Sequence, residues 1–282
     1  MKKNVIITGI QGFLGNRLKE MLCVNFNVFG IARNESINSE VPIFSSSKLD
    51  AINVEPDYLI ICHAAVSSGN VKQDSDILYE TNVKLTEQLV SKFNTSKIIY
   101  ISTASIFYGN RVIINEKSLN SPSNSYSISK FWAEKIVLNT NRATILRLSS
   151  LFGIGMSDNT IIPNYINQAL SNNVIEVWGE GKRKQNYTHV DDVCRYIIKS
   201  IEAFELVKGK VLLAVDTEEY SNIALAKIIS EETNSEIEYK NEDNAISLIY
   251  NNEETRRLLN WNPISDFKQE IKNYIKWKQK QF

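Results

Sequence analysis

A doubly wound α/β fold on a parallel sheet is what this 282-residue sequence predicts, and three observations predict it. From residue 4 to about 150, short apolar runs alternate with helical patterns, as parallel strands joined by crossover helices do. The first run breaks into three evenly spaced glycines, Gly9, Gly12 and Gly15, before an amphipathic segment resumes. With 43% of its residues hydrophobic, the chain can bury a full α/β core and a smaller C-terminal α/β lobe.

The first strand, Val5-Ile6-Ile7, is the continuous apolar run that a strand buried on both faces requires. The glycines that follow let backbone N–H groups approach a pyrophosphate at a helix N-terminus, where the dipole favours anions, and Gly15 allows that helix to pack closely. Their spacing is Gly-x-x-Gly-x-x-Gly, so a plain strand-to-helix turn is the alternative to a nucleotide cradle. Further strands are expected at 27–32, 41–44, 57–62, 97–102 and 144–148, making six. Ligands on such sheets sit beyond the carboxyl ends of the strands, so each end is read for chemistry.

After the second strand stands Arg33, where NAD-binding chains offer a carboxylate to the adenosine ribose. A guanidinium there suits the 2′-phosphate of NADP, although nearby Glu35 could serve a ribose and leave NAD as the cofactor. The fourth strand leads into Ala64 and Ala65, small enough for a ribose and pyrophosphate to lie against backbone, and then into Ser67 and Ser68 as substrate contacts. His63 reads as a satisfied structural histidine, and Asn82 either braces the cofactor floor or faces solvent. The fifth strand ends in Ser102-Thr103, and a Pro/Ser/Asn-rich loop then opens a helix with Tyr126 and Lys130 four residues apart on one face. An adjacent ammonium favours the phenolate, which brings proton transfer by tyrosine into range. Tyr274 and Lys278 repeat that spacing without other chemistry around them, so the order of motifs, and not the pair alone, marks Tyr126 and Lys130.

The pattern changes near residue 155. Residues 1–155 are expected to form the dinucleotide-binding domain, with 187–214 returning to it, and residues 156–186 and 215–282 the substrate lobe. A Gly179-x-Gly181 turn carries Lys182-Arg183-Lys184, which could clamp a diphosphate or be a solvated basic turn. Cys23, Cys62 and Cys194 lack metal spacing and read as structural, so no metal is expected. Thirty-two basic residues balance 32 acidic ones, so no global field recruits nucleic acid or an anionic membrane. No apolar run is long enough to span a bilayer, and the expected location is cytoplasmic.

Together, Thr8-Gly9-x-x-Gly12-Phe13-Leu14-Gly15, Ala64-Ala65, Ser102-Thr103, Tyr126-x-x-x-Lys130, Gly179-x-Gly181, His189-Val190-x-Asp192 and Trp261-x-Pro263 resemble the extended short-chain dehydrogenase/reductases, in particular their nucleotide-sugar epimerase, dehydratase and ketoreductase branch. The resemblance spans nearly the whole chain and implies a Rossmann-type fold. It implies that Tyr126 is the acid/base, that Lys130 orients the nicotinamide ribose and lowers the Tyr126 pKa, and that Thr103 hydrogen-bonds the reacting oxygen. If Tyr108-Gly109 were matched to the family's Tyr-Gly pair, the hydroxyl position would fall on Ala104; with Phe107 in the tyrosine's place it falls on Thr103, the choice made here. By the same carry-over Phe13 and Leu14 touch pyrophosphate through backbone, and Leu148 and Ser150 flank nicotinamide and sugar. The family's phosphate-binding arginine falls on Gln185, leaving Lys182, Arg183 or Lys184 to substitute.

Ala104-Ser105 replace the Asp-Glu of the dehydratases, and Ser105 stands where epimerase-reductases acting at C3 and C5 carry cysteine. The resemblance therefore implies an NADPH-dependent reductase of a nucleotide-linked 4-keto-6-deoxy sugar, with an NAD-dependent 4-epimerase as the alternative. A non-catalytic NADP sensor is a third reading. A homodimer is compatible with all three.

Overall fold

Seven parallel strands form the centre of the computed structural model, which describes residues 2–36, 39–66, 72–107 and 113–281. The first half of the chain runs β1 (Asn4–Thr8), α1 (Phe13–Leu22), β2 (Asn27–Ala32), β3 (Ile43–Ser45), β4 (Tyr58–Ile61), α2 (Ser75–Leu78), a π-helical turn (Tyr79–Lys84), α3 (Leu85–Lys92), β5 (Lys97–Thr103), β6 (Ile113–Ile114), α4 (Ser125–Leu138) and β7 (Ala143–Leu148). The second half runs β8 (Ser150–Phe152), α5 (Ile161–Asn172), β9 (Val174–Trp178), β10 (Lys184–His189), α6 (Val190–Glu202), α7 (Phe204–Val207), β11 (Val211–Ala214), β12 (Glu219–Ser221), α8 (Asn222–Thr233), β13 (Glu236–Lys240), β14 (Ile249–Tyr250), α9 (Glu253–Leu259) and α10 (Phe267–Gln279).

The sheet order is β11-β7-β5-β4-β1-β2-β3. It turns round at β1, which opens a crevice beyond the carboxyl ends of β1 and β4. Val5, Ile7 and Ile60 point into one core with Leu18, Val193 and Ile197, while Ile6, Leu59 and Ile61 point into the opposite core with Leu89, Phe93 and Val137. Burial on both faces is why these strands read as unbroken apolar runs.

The six strands expected from the sequence are joined by β11, which pairs with β7 at the edge. Helix α6 and β11 thus pack with the central sheet. A separate core gathers Phe152, Ile162, Ile166, Ile175, Leu225, Ile229 and Ile271 around the parallel pair β9–β13. Within 215–282, all expected in the second lobe, α9 instead packs Leu258 and Leu259 into the central core. Leu248 and Tyr250 pack with Phe107, Leu213 and Val215. The cause is the edge: β11 offers uncovered apolar side chains and an unpaired N–H, and the Leu213 N–H donates to Thr255 Oγ1 at 2.9 Å. Among the described residues no helix is long and apolar enough to cross a membrane.

Candidate active site

The glycines shape the crevice floor. Gly9 has φ +66°, its N–H donates to the Ile31 carbonyl at 2.8 Å, and a Cβ there would lie 2.9 Å from the His63 backbone. A Cβ on Gly15 would lie 2.2 Å from the Gly9 carbonyl oxygen, so only glycine lets α1 start this close to the turn. Helix α1 opens at Phe13 and Leu14 with no side-chain cap from Gly12 and no acidic residue in its first turn. Its first N–H groups and the positive end of its dipole are thus offered to an anion, and the cradle fits a dinucleotide pyrophosphate.

Two polar braces hold the floor. His63, held neutral by burial that lowers its pKa to about 3, lies 2.8 Å from Thr8 Oγ1 and 3.4 Å from Thr86 Oγ1. Asn82 is fully buried on the π-helical turn, so of its two sequence readings the bracing one holds. Its Oδ1 accepts from Ala65 N–H at 2.8 Å, and its Nδ2 donates to Ala65 O and to Ser129 Oγ, both at 3.0 Å. One amide therefore ties the Ala64-Ala65 segment to α4.

Helix α4 is started by a capping box. Ser127 N–H donates to Asn124 Oδ1 at 2.9 Å and Asn124 N–H donates to Ser127 Oγ at 3.2 Å. This fixes Tyr126 near the end of β5, close enough for the Thr103 side chain to favour its phenolate. Thr103 Oγ1 in turn donates to Ser105 Oγ at 3.0 Å and accepts from Ser105 N–H at 3.1 Å.

Lys130 is buried at 2% exposure, donates from Nζ to Ile101 O at 2.8 Å, and lies 4.1 Å from the Tyr100 ring centroid. Here the structure departs from the expected electrostatics. Burial raises the Tyr126 pKa to about 12, and the opposing influence is Thr103, not Lys130. The lysine is itself pulled down to about 7 by burial, opposed by Glu134, and its ammonium is turned to a backbone carbonyl. Tyr126 is therefore held protonated at neutral pH.

On the substrate side, Leu148 is buried at the end of β7, and Ser150 is exposed at the start of β8 opposite Tyr187 of β10. Gln185 donates from Nε2 to Asn222 Oδ1 at 3.0 Å. The basic turn is not three open cations: Lys182 pairs with Glu180, and Lys184 pairs with Glu219 at 3.0 Å. Arg183 is half-buried between them, and its carbonyl accepts from Asn222 N–H at 2.9 Å. Arg33 is exposed just past β2, while Glu35 pairs with Lys48 at 3.1 Å. Ser67 and Ser68 lie outside the described residues, as does Tyr108.

The sequence reading gave no role to Glu134 and Arg147, a buried pair one turn beyond Lys130. It also passed over Ser149, whose Oγ donates to Asn186 Oδ1 at 2.6 Å and lies 2.8 Å from Thr188 Oγ1, joining the segment after β7 to β10. Glu134 could have been found by spacing, since it repeats the interval from Tyr126 to Lys130. Nothing local in the sequence marks Ser149.

A seven-stranded parallel Rossmann sheet, a glycine cradle and a Tyr-x-x-x-Lys helix beside a strand-end threonine define an extended short-chain dehydrogenase/reductase. The sequence model of the NAD dependent epimerase/dehydratase family matches residues 5–214, and the chain belongs to that family. The chain is 28% identical over 275 residues to a dTDP-D-glucose 4,6-dehydratase of Dictyostelium discoideum, covering 80% of this chain but only 61% of that protein. A putative UDP-glucose 4-epimerase of Methanocaldococcus jannaschii is 23% identical over 302 residues, 97% of each chain. A dTDP-4-dehydro-6-deoxy-D-allose reductase of a Streptomyces species is 20% identical over 238 residues, 71% of this chain and 73% of its own. Among solved structures, UDP-glucuronic acid 4-epimerase from Bacillus cereus in complex with NAD superposes with a TM-score of 0.86 at 19% identity, covering 98% of this chain and 99% of its own. The expectation of an enzyme of this branch stands with that family; which of its reactions the chain performs is a separate question.

Proposed function

We propose that the protein reduces the C4 ketone of a nucleotide-linked 4-keto-6-deoxy sugar with NADPH. The observation that carries this reading is Tyr126, kept protonated by burial beside the Thr103 side chain at the end of β5. A reductase needs an acid at that point, whereas the first half-reaction of an epimerase needs a base. A bound nicotinamide supplies the hydride chemistry. The chain's own part is to hold the pyrophosphate at Gly9, Gly12, Phe13, Leu14 and Gly15, to orient the ribose with Lys130, and to give the Tyr126 proton to the C4 oxygen. Thr103 hydrogen-bonds that oxygen and then donates to the phenolate left behind. Dehydration has no support, because Ala104 and Ser105 put no carboxylate beside Thr103.

Arg33 is the proposed grip on the 2′-phosphate, supported by its exposure past β2 and by the commitment of Glu35 to Lys48. Arg183 with Gln185 is the proposed diphosphate contact, and Leu148 and Ser150 flank nicotinamide and sugar. A cytoplasmic location belongs to the same reading. Association of two copies is supported by an apolar face on which Ile77, Tyr79, Ile128 and Trp132 are 41–52% exposed and the Tyr79 and Trp132 rings lie 5.6 Å apart.

The epimerase reading keeps one specific support, the Methanocaldococcus relative that aligns along 97% of both chains. The two separate on cofactor use. Purified protein with little bound nicotinamide that consumes NADPH one for one with a dTDP- or UDP-linked 4-ketosugar is the expected result. Full occupancy by NAD on isolation, with C4 epimers exchanging without net consumption, would overturn the reductase reading.

A further inference from the structure

Ion pairs are costly to place inside a protein because two charges leave water, so a buried pair beside a functional lysine calls for an account. Glu134 and Arg147 are 1% and 3% exposed. Arg147 donates from Nε to Glu134 Oε1 at 2.9 Å and from Nη2 to Oε2 at 2.6 Å. Glu134 follows Lys130 by four residues and Tyr126 by eight, so the three lie along one face of α4. Arg147 comes from β7, the neighbour of β5, and its guanidinium lies 4.5 Å from the Phe107 ring centroid. Phe107 closes the 3₁₀ turn that begins directly after Thr103. The pair thus joins the helix bearing Tyr126 and Lys130 to the turn that carries Ser105.

We propose that Glu134 is a positioning residue for Lys130: its carboxylate, on the same face of α4 and clamped by Arg147, favours the charged form of the buried amine, and Arg147 sets how much of that negative charge the lysine feels. The groups facing Lys130 make the case. From β5 come the Tyr100 ring and the Ile101 carbonyl. From the end of β4 come Cys62, pushed up to about 12, and His63, pulled down to about 3, both neutral at pH 7. From α4 comes Glu134, while Tyr126, one turn before the lysine on that helix, is neutral. Burial drives Lys130 downward, and Glu134 is the first influence that opposes it. Arg147 is bonded to that carboxylate and is not among the groups that shift the lysine directly.

The inference rests on Lys130 serving the proposed reaction, but the titration of Lys130 can be read without substrate or cofactor. The test is the pH midpoint of Lys130 in the full chain, followed by NMR with lysine carbon-13 labelled at Cε and assigned by loss of the signal in Lys130→Met. Glu134→Gln should lower the midpoint by about one pH unit or more, and Arg147→Met should raise it, because a neighbouring opposite charge shifts a pKa by roughly one to three units. Opposite signs cannot come from general loosening. Since removing one partner of a buried pair is destabilising, the charge-balanced Glu134→Gln/Arg147→Met variant is measured too, and its midpoint should also fall below that of the unaltered chain. An unchanged midpoint in Glu134→Gln or in the double variant, or shifts of one sign in both single variants, overturns the proposal. If the midpoints move as expected while no 4-ketosugar is turned over, the reductase reading fails and this inference stands.

Discussion

Charge is handled in opposite ways in two regions of the molecule. Along α4 and β5, Lys130, Glu134 and Arg147 are all buried, and burial displaces the lysine to about 7. At the turn into β10, Lys182 and the strand's first residue, Lys184, are solvent-exposed and matched by Glu180 and Glu219. Buried charges hold fixed geometry and shifted protonation, while exposed pairs are worth about 1 kcal/mol or less and can change cheaply. On the proposed function, the first region carries the chemistry and the second the contact to the substrate diphosphate.

The largest expected effect lies in the buried region. Tyr126→Phe removes the proton donor and leaves the binding contacts, so kcat should fall by about two to four orders of magnitude with KM little changed. Steady-state rates with NADPH and a 4-ketosugar check this, and near-full turnover would remove Tyr126 from the mechanism. Next comes Gly15→Ala, whose Cβ would meet the Gly9 carbonyl at 2.2 Å. Backbone cannot yield as a flexible side chain can, so we expect a loss of about 2 to 3 kcal/mol of stability with weakened NADPH binding. Thermal melts and cofactor fluorescence read both, and an unaltered melt would show that α1 can move away.

Smaller effects fall at the surface. Arg33→Ala should weaken NADPH by about 1.5 to 3 kcal/mol and leave NADH nearly unchanged, through loss of charge-assisted hydrogen bonds. Equal losses for both cofactors would give Arg33 another role. Lys182→Ala and Lys184→Ala, which break only exposed pairs, should each change substrate KM by less than about threefold. A tenfold rise from either would move the diphosphate contact onto that lysine and blur the contrast between the regions.

The same contrast explains what could be read from sequence. Strands β1, β4, β5 and β7 fell within a residue or so of their expected limits, because a strand buried on both faces must be apolar throughout. The glycine cradle and the Tyr126–Lys130 interval were legible because each depends on local backbone geometry. Pairings across the fold were not. Glu134 meets Arg147 from another element, Asn82 acts through Ala65 and Ser129, and Glu219 reaches Lys184 only because β12 lies beside β10. The direction of the Tyr126 shift was missed for the same reason, since a short interval on a helix says nothing of how deeply the phenol is buried. Leu258 and Leu259 were placed in the wrong lobe because the edge they cover is made by a distant strand.

The central claim is that chemistry and diphosphate recognition are carried by separate regions, and a double-mutant cycle on Tyr126→Phe and Arg183→Ala tests it most directly. Arg183→Ala should raise KM with kcat preserved, and the two losses in kcat/KM should multiply, leaving a coupling free energy within about 0.5 kcal/mol of zero. A coupling well beyond that, or a fall in kcat from Arg183→Ala alone, would contradict the division.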